Sequence, residues 1–476
     1  MKKKVAVLLL RVAGAPDQPT KTYVEQLYTA AGKGTNNLVD YYEDMSHGKL
    51  DISDCTVYDW IDYNHTAQDL MDEWTKAQAQ KEDELIKAGV DKAKATDAAN
   101  AYANAIRRGK ITEWGNEAAT KNNQSITGFD IIVYIFNQSI DFFGSTGYTV
   151  ISWNPDGNNH AGNSIGLAGT SHEFGHALGL MGHARMEGSA EEYGDLWDIM
   201  GDYHYTSDKR GTFIPPPNDS KYFTYGPGLN AAYMDIMGWL DKSRVYTAVG
   251  STSFQLRPLH RRDLPGWLCA QLNIGNETIY VEFRMNEKWD NTFGAPCIFL
   301  HKKAAHPGDG TPCTEIIMTD PANPDKANQV DLRSGQSYTL GDISDPLGFY
   351  ASLTVTHIDT EQRIAYINLY VRYKRRFEPQ GRLFGAIERG GGGYVWTPGR
   401  GLKKVPPRSP LVNIIELIGE MESLHELESN GHNTNEMTIG QLSKIRDAVT
   451  AMIDGRRQVK VPKEYSVGRQ LNHSAE

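Results

Sequence analysis

The stretch Thr170 to Asp202, TSHEFGHALGLMGHARMEGSAEEYGDLWDIMGD, restricts what this chain can fold into more than any other part of it. It opens with His-Glu-x-x-His, in which His172, Glu173 and His176 stand among apolar neighbours that favour a helix. Residues four apart on a helix lie one above the other on the same face, so both imidazoles can reach a single ion. Glu173, next to the first imidazole, is placed to hold and deprotonate a water at that ion. The fold must therefore supply a further ligand, a floor under the metal and a cleft that admits a substrate.

The residues that follow carry the signals for the first two. Gly179 can take positive φ and end the helix, letting the chain double back. His183 comes four residues later, and Trp197-Asp198-Ile199-Met200-Gly201 reads as a tight turn that puts the Met200 thioether under the imidazoles. Helix, glycine, third histidine and Met-turn are the marks of metzincins. HEFGHALGL, GHAR and EEYGDLWDIMG together resemble the gametolysin-type zinc metallopeptidases, with weaker similarity to the immune-inhibitor-A type. The resemblance implies Zn²⁺ held by His172, His176 and His183, with Glu173 as general base. It also implies a protein or peptide substrate paired with an edge strand, and a tyrosine after the Met-turn on the developing oxyanion, for which Tyr203 and Tyr205 are the candidates.

One departure affects the third ligand. The metzincin pattern puts it three residues after the glycine, where this chain has Gly182, so His183 needs a one-residue bulge over residues 180–182. Should His183 miss, Glu187, Glu191, Glu192 or Asp195 could complete the site. The acidic residues between Glu187 and Asp202 could also hold Ca²⁺, although a solvated loop is the simpler account of them. The start of the helix is open. Thr170 to Glu173 fits a capping box, in which Glu173 would only cap its own backbone, and Asn163-Ser164 offers an earlier start weakened by Gly166 and Gly169.

Composition bounds the remaining classes. A chain of 476 residues exceeds one ordinary core and predicts two or three domains. A formal charge of -10 gives no global attraction to nucleic acid or to an anionic membrane. No apolar run approaches the ~20 residues of a transmembrane helix. Met1 to Lys4 followed by VAVLLL imitates a signal peptide, but the apolar core is short, and LLLRVAGAPDQPT with YYEDMSHGKLDIS fits a buried first strand of the catalytic domain. The resemblance implies secretion, whereas the missing signal peptide points to the cytoplasm or to an unconventional export signal. Cys55, Cys269, Cys297 and Cys313 are too few for a disulfide framework, although Cys297 and Cys313 could close one loop.

The periodicities predict an α+β chain. Residues 1–245 read as a metzincin-like catalytic domain, a mixed sheet plus the active-site helix. Within it, Thr20 to Ala31 is helical, Gly48 to Val57 a strand, and Thr66 to Arg108 two helices interrupted near Gly89. Phe129 to Phe136 is a central buried strand. Tyr148 to Trp153 is a candidate for the substrate-binding edge, with an internal strand as the alternative. Residues 246–373 alternate in about seven short segments, including IYVEFR around Glu282, and predict a β-sandwich domain. Residues 374–408 have the basic, Gly-rich chemistry of a linker, and 409–476 the periodicity of a helical C-terminal hairpin that could dock on the enzyme or on a partner. The functional expectation is a zinc endopeptidase. The alternatives are a binding or adhesion protein that keeps the fold, and a zinc amidase acting on a non-protein substrate.

Overall fold

The computed structural model describes residues 1–153, 166–189, 191–202, 226–248, 250–274, 277–291, 293–320, 330–341, 350–372, 394–397 and 401–404. The architecture is mixed α+β, in two compact units, one of residues 1–340 and 351–371 and the other of 341–350 and 372–476.

The first unit begins with β1 (Lys2–Arg11), in which Val5 to Leu10 are all buried. Its odd residues Val5, Val7 and Leu9 enter one core cluster and its even residues Leu8 and Leu10 another, as in a strand covered on both faces. Two short helices follow, α1 (Lys21–Tyr28), capped by Thr20, and α2 (Leu38–Met45), closed by an Asn37/Asp40 capping box. β2 (Asp51–Val57) and β3 (Ile61–Asp62) then run parallel to β1.

A helical hairpin of α3 (Ala67–Lys87) and α4 (Lys92–Lys121) comes next, broken at Gly89 with φ +84°. α4 continues well past Arg108 because Ile111, Ala118 and Ala119 bury against the sheet. Gly115 is part of that contact, since a Cβ there would meet the Tyr134 ring at 2.8 Å.

β4 (Ile131–Phe136), β5 (Phe143–Ser145) and β6 (Tyr148–Ser152) complete the first sheet, in the order β2-β1-β4-β6-β5. β4 is central, as its continuous apolar run predicts. The expectation that Tyr148 to Trp153 forms the edge is corrected. β6 lies between β4, which it pairs in parallel, and β5, which folds back antiparallel upon it. The edge is therefore β5, whose three residues Phe-Gly-Ser are too few to show alternation in the sequence.

α1 and α2 pack on one face of this sheet with α5 (Leu167–Leu178), while α3 and α4 cover the other. The chain continues through β7 (Ala184–Met186) and α6 (Ala231–Ile236) to β8 (Val245–Ala248), so the boundary expected after residue 245 falls inside β8. β9 (Thr252–Leu256), β10 (Cys269–Ile274), β11 (Glu277–Arg284), β12 (Cys297–Ala305), β13 (Pro312–Ile316), β14 (Ser337–Gly341), β15 (Tyr350–Asp359) and β16 (Ile364–Arg372) supply two further sheets. Their orders are β7-β13-β12-β11-β10-β8 and β14-β15-β16-β9. Phe254, Val281, Leu300, Val355 and Ile367 share one core between them, in sandwich fashion. The first of these sheets extends into the helical part of the unit, because β7 pairs in parallel with β13.

Within the second unit, β17 (Tyr394–Thr397) pairs antiparallel with β18 (Gly401–Lys404), in the stretch expected to be linker. The helical hairpin expected over 409–476 lies outside the described residues. All four cysteines are free, so no bridge joins Cys297 to Cys313. Among the described residues no helix is long and apolar enough to cross a membrane.

Candidate metal centre

α5 owes its position to almost complete burial. Every residue from Leu167 to Ala177 is buried, and Phe174 packs on Tyr28 and Tyr42. Its N-cap is Gly166, with no side-chain cap, so Thr170 and Glu173 lie inside the helix and the capping-box reading of Glu173 is corrected. Gly179 ends the helix at φ +109°, the left-handed conformation that a Gly C-cap supplies. Gly175 serves a different purpose. A Cβ there would meet the Met200 sulfur at 2.6 Å, so the glycine between the two histidines makes room for the floor of the site.

His183 reaches the other two histidines. The Leu180 carbonyl accepts from His176 Nδ1 at 2.5 Å, and the Gly182 carbonyl accepts from the Tyr233 hydroxyl at 2.7 Å, which fixes the short connection at both ends. Gly182 has ordinary φ and is required for close approach. A Cβ there would strike the Pro312 carbonyl oxygen at 2.5 Å and Cys313 Cβ at 2.8 Å. The next residue but one starts β7, whose pairing with β13 then fixes the direction of the chain.

Each of the three imidazoles has its Nδ1 engaged. His172 Nδ1 donates to the Ile199 carbonyl at 2.7 Å, His176 Nδ1 to that of Leu180, and His183 Nδ1 to Glu192 Oε1 at 2.9 Å. Engaging Nδ1 as donor leaves the lone pair on Nε2, the tautomer that binds metal. The ligand atoms of the triad lie within 4.8 Å of one another, and His176 Nε2 is 3.1 Å from His183 Nε2. Two lone pairs at that distance repel unless a cation lies between them. Tetrahedral ligands at 2.0 to 2.1 Å from one ion would themselves be roughly 3.3 Å apart, so the residues present fit a metal. Burial, aided by His183, lowers His176 to about 4, and burial also lowers His183, so both are neutral ligands at ordinary pH.

Of the alternative ligands, Glu192 supports His183 from behind, Glu187 pairs with Lys302 at 2.6 Å, and Asp195 is buried against His301 at 3.0 Å. Among the described residues the triad is the one group of His, Cys, Asp or Glu with the spacing to hold an ion, so no calcium cluster forms among the described acidic residues of 187–202. Glu173 follows His172 on α5 and is buried. Burial pushes its carboxyl up to about 8, partly offset by the charge of Arg108.

The turn beneath the helix is tied from several sides. Met200 N–H donates to Asp198 Oδ1 at 2.7 Å, Gly201 N–H to the Asp198 carbonyl at 2.9 Å, and the Met200 carbonyl accepts from Ala184 N–H at 2.8 Å. Asp198, fully buried, is pushed up to about 8 by burial and by the neighbouring Asp195. Behind this turn, the second sheet presents a buried ionic cluster. Arg284 donates to Asp290 through Nε at 2.6 Å and to Glu282 at 3.0 Å, and its NH2 group also reaches the carbonyls of Gly228 and Trp197.

Tyr203 and Tyr205 lie outside the described residues. A tyrosine that the sequence reading passed over stands at the site instead. The Tyr193 ring is 4.0 Å from His183 and 6.0 Å from His172, and it keeps 43% of its surface exposed. Burial and the charges of Glu192 and Glu173 raise it to about 12, which keeps the phenol a hydrogen-bond donor. Its signal was present in EEYGDLWDIMG, but attention to the residues after the Met-turn hid a tyrosine placed before it.

Comparison with protein-family models and with curated proteins returns no match. Assignment of function therefore rests on the residues themselves.

Proposed function

We propose that this protein is a zinc-dependent endopeptidase of metzincin type, with His172, His176 and His183 as ligands and Glu173 as general base. The observation that carries this reading is the convergence of three imidazoles, each with Nδ1 engaged, beside a buried carboxyl on the helix that carries His172 and His176. A purely structural ion needs no such neighbour. Three nitrogen ligands with one position left open suit zinc.

When bound, zinc supplies Lewis acidity that polarises a carbonyl and brings the pKa of a coordinated water from about 15.7 towards about 7. Glu173 orients the attacking water and takes its proton, then returns a proton to the leaving amine. Tyr193, its ring beside those of His183 and His172, is the candidate donor to the developing oxyanion, the role expected of Tyr203. Among the described residues no strand pairs with the outer edge of β5, which could take an extended peptide. Gly144 brings this strand against the metal helix, since a Cβ there would meet the Glu173 carbonyl oxygen at 2.2 Å and His176 Cβ at 2.7 Å.

Zinc analysis followed by peptide-library cleavage, with and without chelator, tests the reading. One zinc per chain and chelator-sensitive cleavage of internal peptide bonds are expected. Glu173→Gln should keep the zinc and lower kcat by at least about 100-fold. Bound zinc without cleavage of any peptide would contradict the reading and favour the adhesion or amidase alternatives.

A further inference from the structure

Two arginines meet one carboxylate at the rim of β5. Arg107, on α4, donates to Asp141 at 2.6 Å, and Arg108 reaches the same oxygen at 3.2 Å. The Asp141 side chain is only 11% exposed and also accepts from the Phe142 N–H, whereas that of Arg108 is 44% exposed. One positive charge is thus left over, on the more exposed arginine, in a chain whose net charge is -10. The Arg108 guanidinium sits 4.3 Å from the centre of the Phe143 ring.

Phe143 is the first residue of β5, and among the described residues no strand pairs with the outer edge of β5. Its ring belongs to the core cluster under α4, on the sheet face opposite α5, while Gly144 faces α5, Glu173 and His176. Successive positions on this edge therefore address α4 and then the metal centre.

We propose that Arg108 makes this a protease for acidic segments, selecting Asp or Glu at the substrate position that pairs with Phe143. The proposal rests on the endopeptidase reading and on β5 as the strand that binds substrate. A peptide added to β5 alternates in step with it. Its side chain opposite Phe143 lies about 5 Å from Phe143, Cβ to Cβ, on the α4 face, within reach of a guanidinium seated on that ring. The next side chain passes over Gly144 towards the metal. Stacking on Phe143 holds the guanidinium plane, which favours the two-pronged pairing that a carboxylate accepts and an amide or ammonium does not. Arg107 holds Asp141 through the shorter contact, so Arg108 can exchange its longer one for the substrate without leaving Asp141 unpaired.

The test compares kcat/KM for three peptide sets that carry Asp or Glu, Ala, or Lys at each position preceding the scissile bond. The zinc-loaded full chain and the variants R108E and D141N are used. At one position the native protein should prefer acidic over Lys peptides by about tenfold, with the ratio shrinking as salt rises from about 0.05 to about 0.5 M. R108E should reverse the ratio. D141N, which removes the competing carboxylate, should raise it. Thermal unfolding of both variants checks that the fold is intact, which the exposure of Arg108 favours. A native enzyme indifferent to charge at every position, or an R108E enzyme that still prefers acids, would overturn the proposal and leave the endopeptidase reading standing. Failure to cleave any peptide would remove both.

Discussion

Four buried titratable side chains, Glu173, Asp198 and His176 at the site and His47 against Leu259 and Asp241, help set how the metal-free protein responds to pH. Glu173 and Asp198 both sit at about 8 when folded, far above ordinary carboxylates, because burial disfavours their charge. The folded state therefore binds more protons than the unfolded chain between about pH 4.5 and 8. The stability these groups contribute is complete below that window and lost as pH rises through it. His47 and His176, lowered to about 4 by burial, act in the opposite sense. Their contribution is lost as pH falls from about 6.5 to 4 and complete above 6.5, where His301, raised against the effect of its burial by Glu282 and Asp195, joins the two carboxyls in losing stability as pH rises. Chelated protein should lose stability between about pH 6.5 and 8, and Glu173→Gln should flatten that fall by up to about 1 kcal/mol per pH unit. Urea unfolding of native and variant protein across the range measures it. An unchanged slope would mean that Glu173 already ionises in the folded state.

At the scale of elements, the site depends on a strand. β7 pairs with β13, a strand from more than a hundred residues later in the chain, and that pairing begins immediately after His183. Gly182 sits in the contact, with the Pro312 backbone where its Cβ would be. Gly182→Ala should displace β7 from β13 and carry the imidazole of His183 away from the other two. We expect zinc affinity to drop at least about tenfold, with a stability loss of about 1 to 3 kcal/mol, typical of overpacking. Competition with a chromophoric chelator reads the affinity, and native affinity in this variant would show that His183 is placed by other means. The local half of the site was legible in the sequence. His172, Glu173, His176 and Gly179 are set by helix periodicity and by a C-cap, which depend on near neighbours alone. The Met200 floor was legible for the same reason, as a short turn with its own signature. His183 was named as the third ligand from the sequence, but the means of its placement was not legible, because the β13 strand that aims it carries no mark of its partner. Nor was the edge strand β5, whose Phe-Gly-Ser shows no period, nor Tyr193 and Arg108, which reach the cleft only through tertiary packing.

For the molecule as a whole, the sheet expected to form a separate domain packs in the same compact unit as the histidine triad. β11 alternates between two jobs. Ile279, Val281 and Phe283 fill the core shared with the other sheet, while Tyr280, Glu282 and Arg284 point back at the helical half that carries the histidine triad. Glu282 Oε2 accepts from Ala231 N–H at 2.7 Å at the start of α6, and Arg284 reaches the Trp197 carbonyl in the approach to the Met-turn. Breaking a buried charge network by removing one partner leaves the other charges uncompensated. Arg284→Met should therefore cost about 3 to 5 kcal/mol, and the two halves should still unfold in one transition, as denaturant titration with separate probes would show. Two separate transitions would mean that the halves stand independently. The central claim, that three imidazoles hold one zinc, has a more direct test. Crystals of the zinc-loaded protein, measured at the zinc absorption edge, should give a single anomalous peak 2.0 to 2.1 Å from Nε2 of His172, His176 and His183, on the side facing Glu173. A peak elsewhere, or one within bonding distance of only two of these nitrogens, would contradict the account.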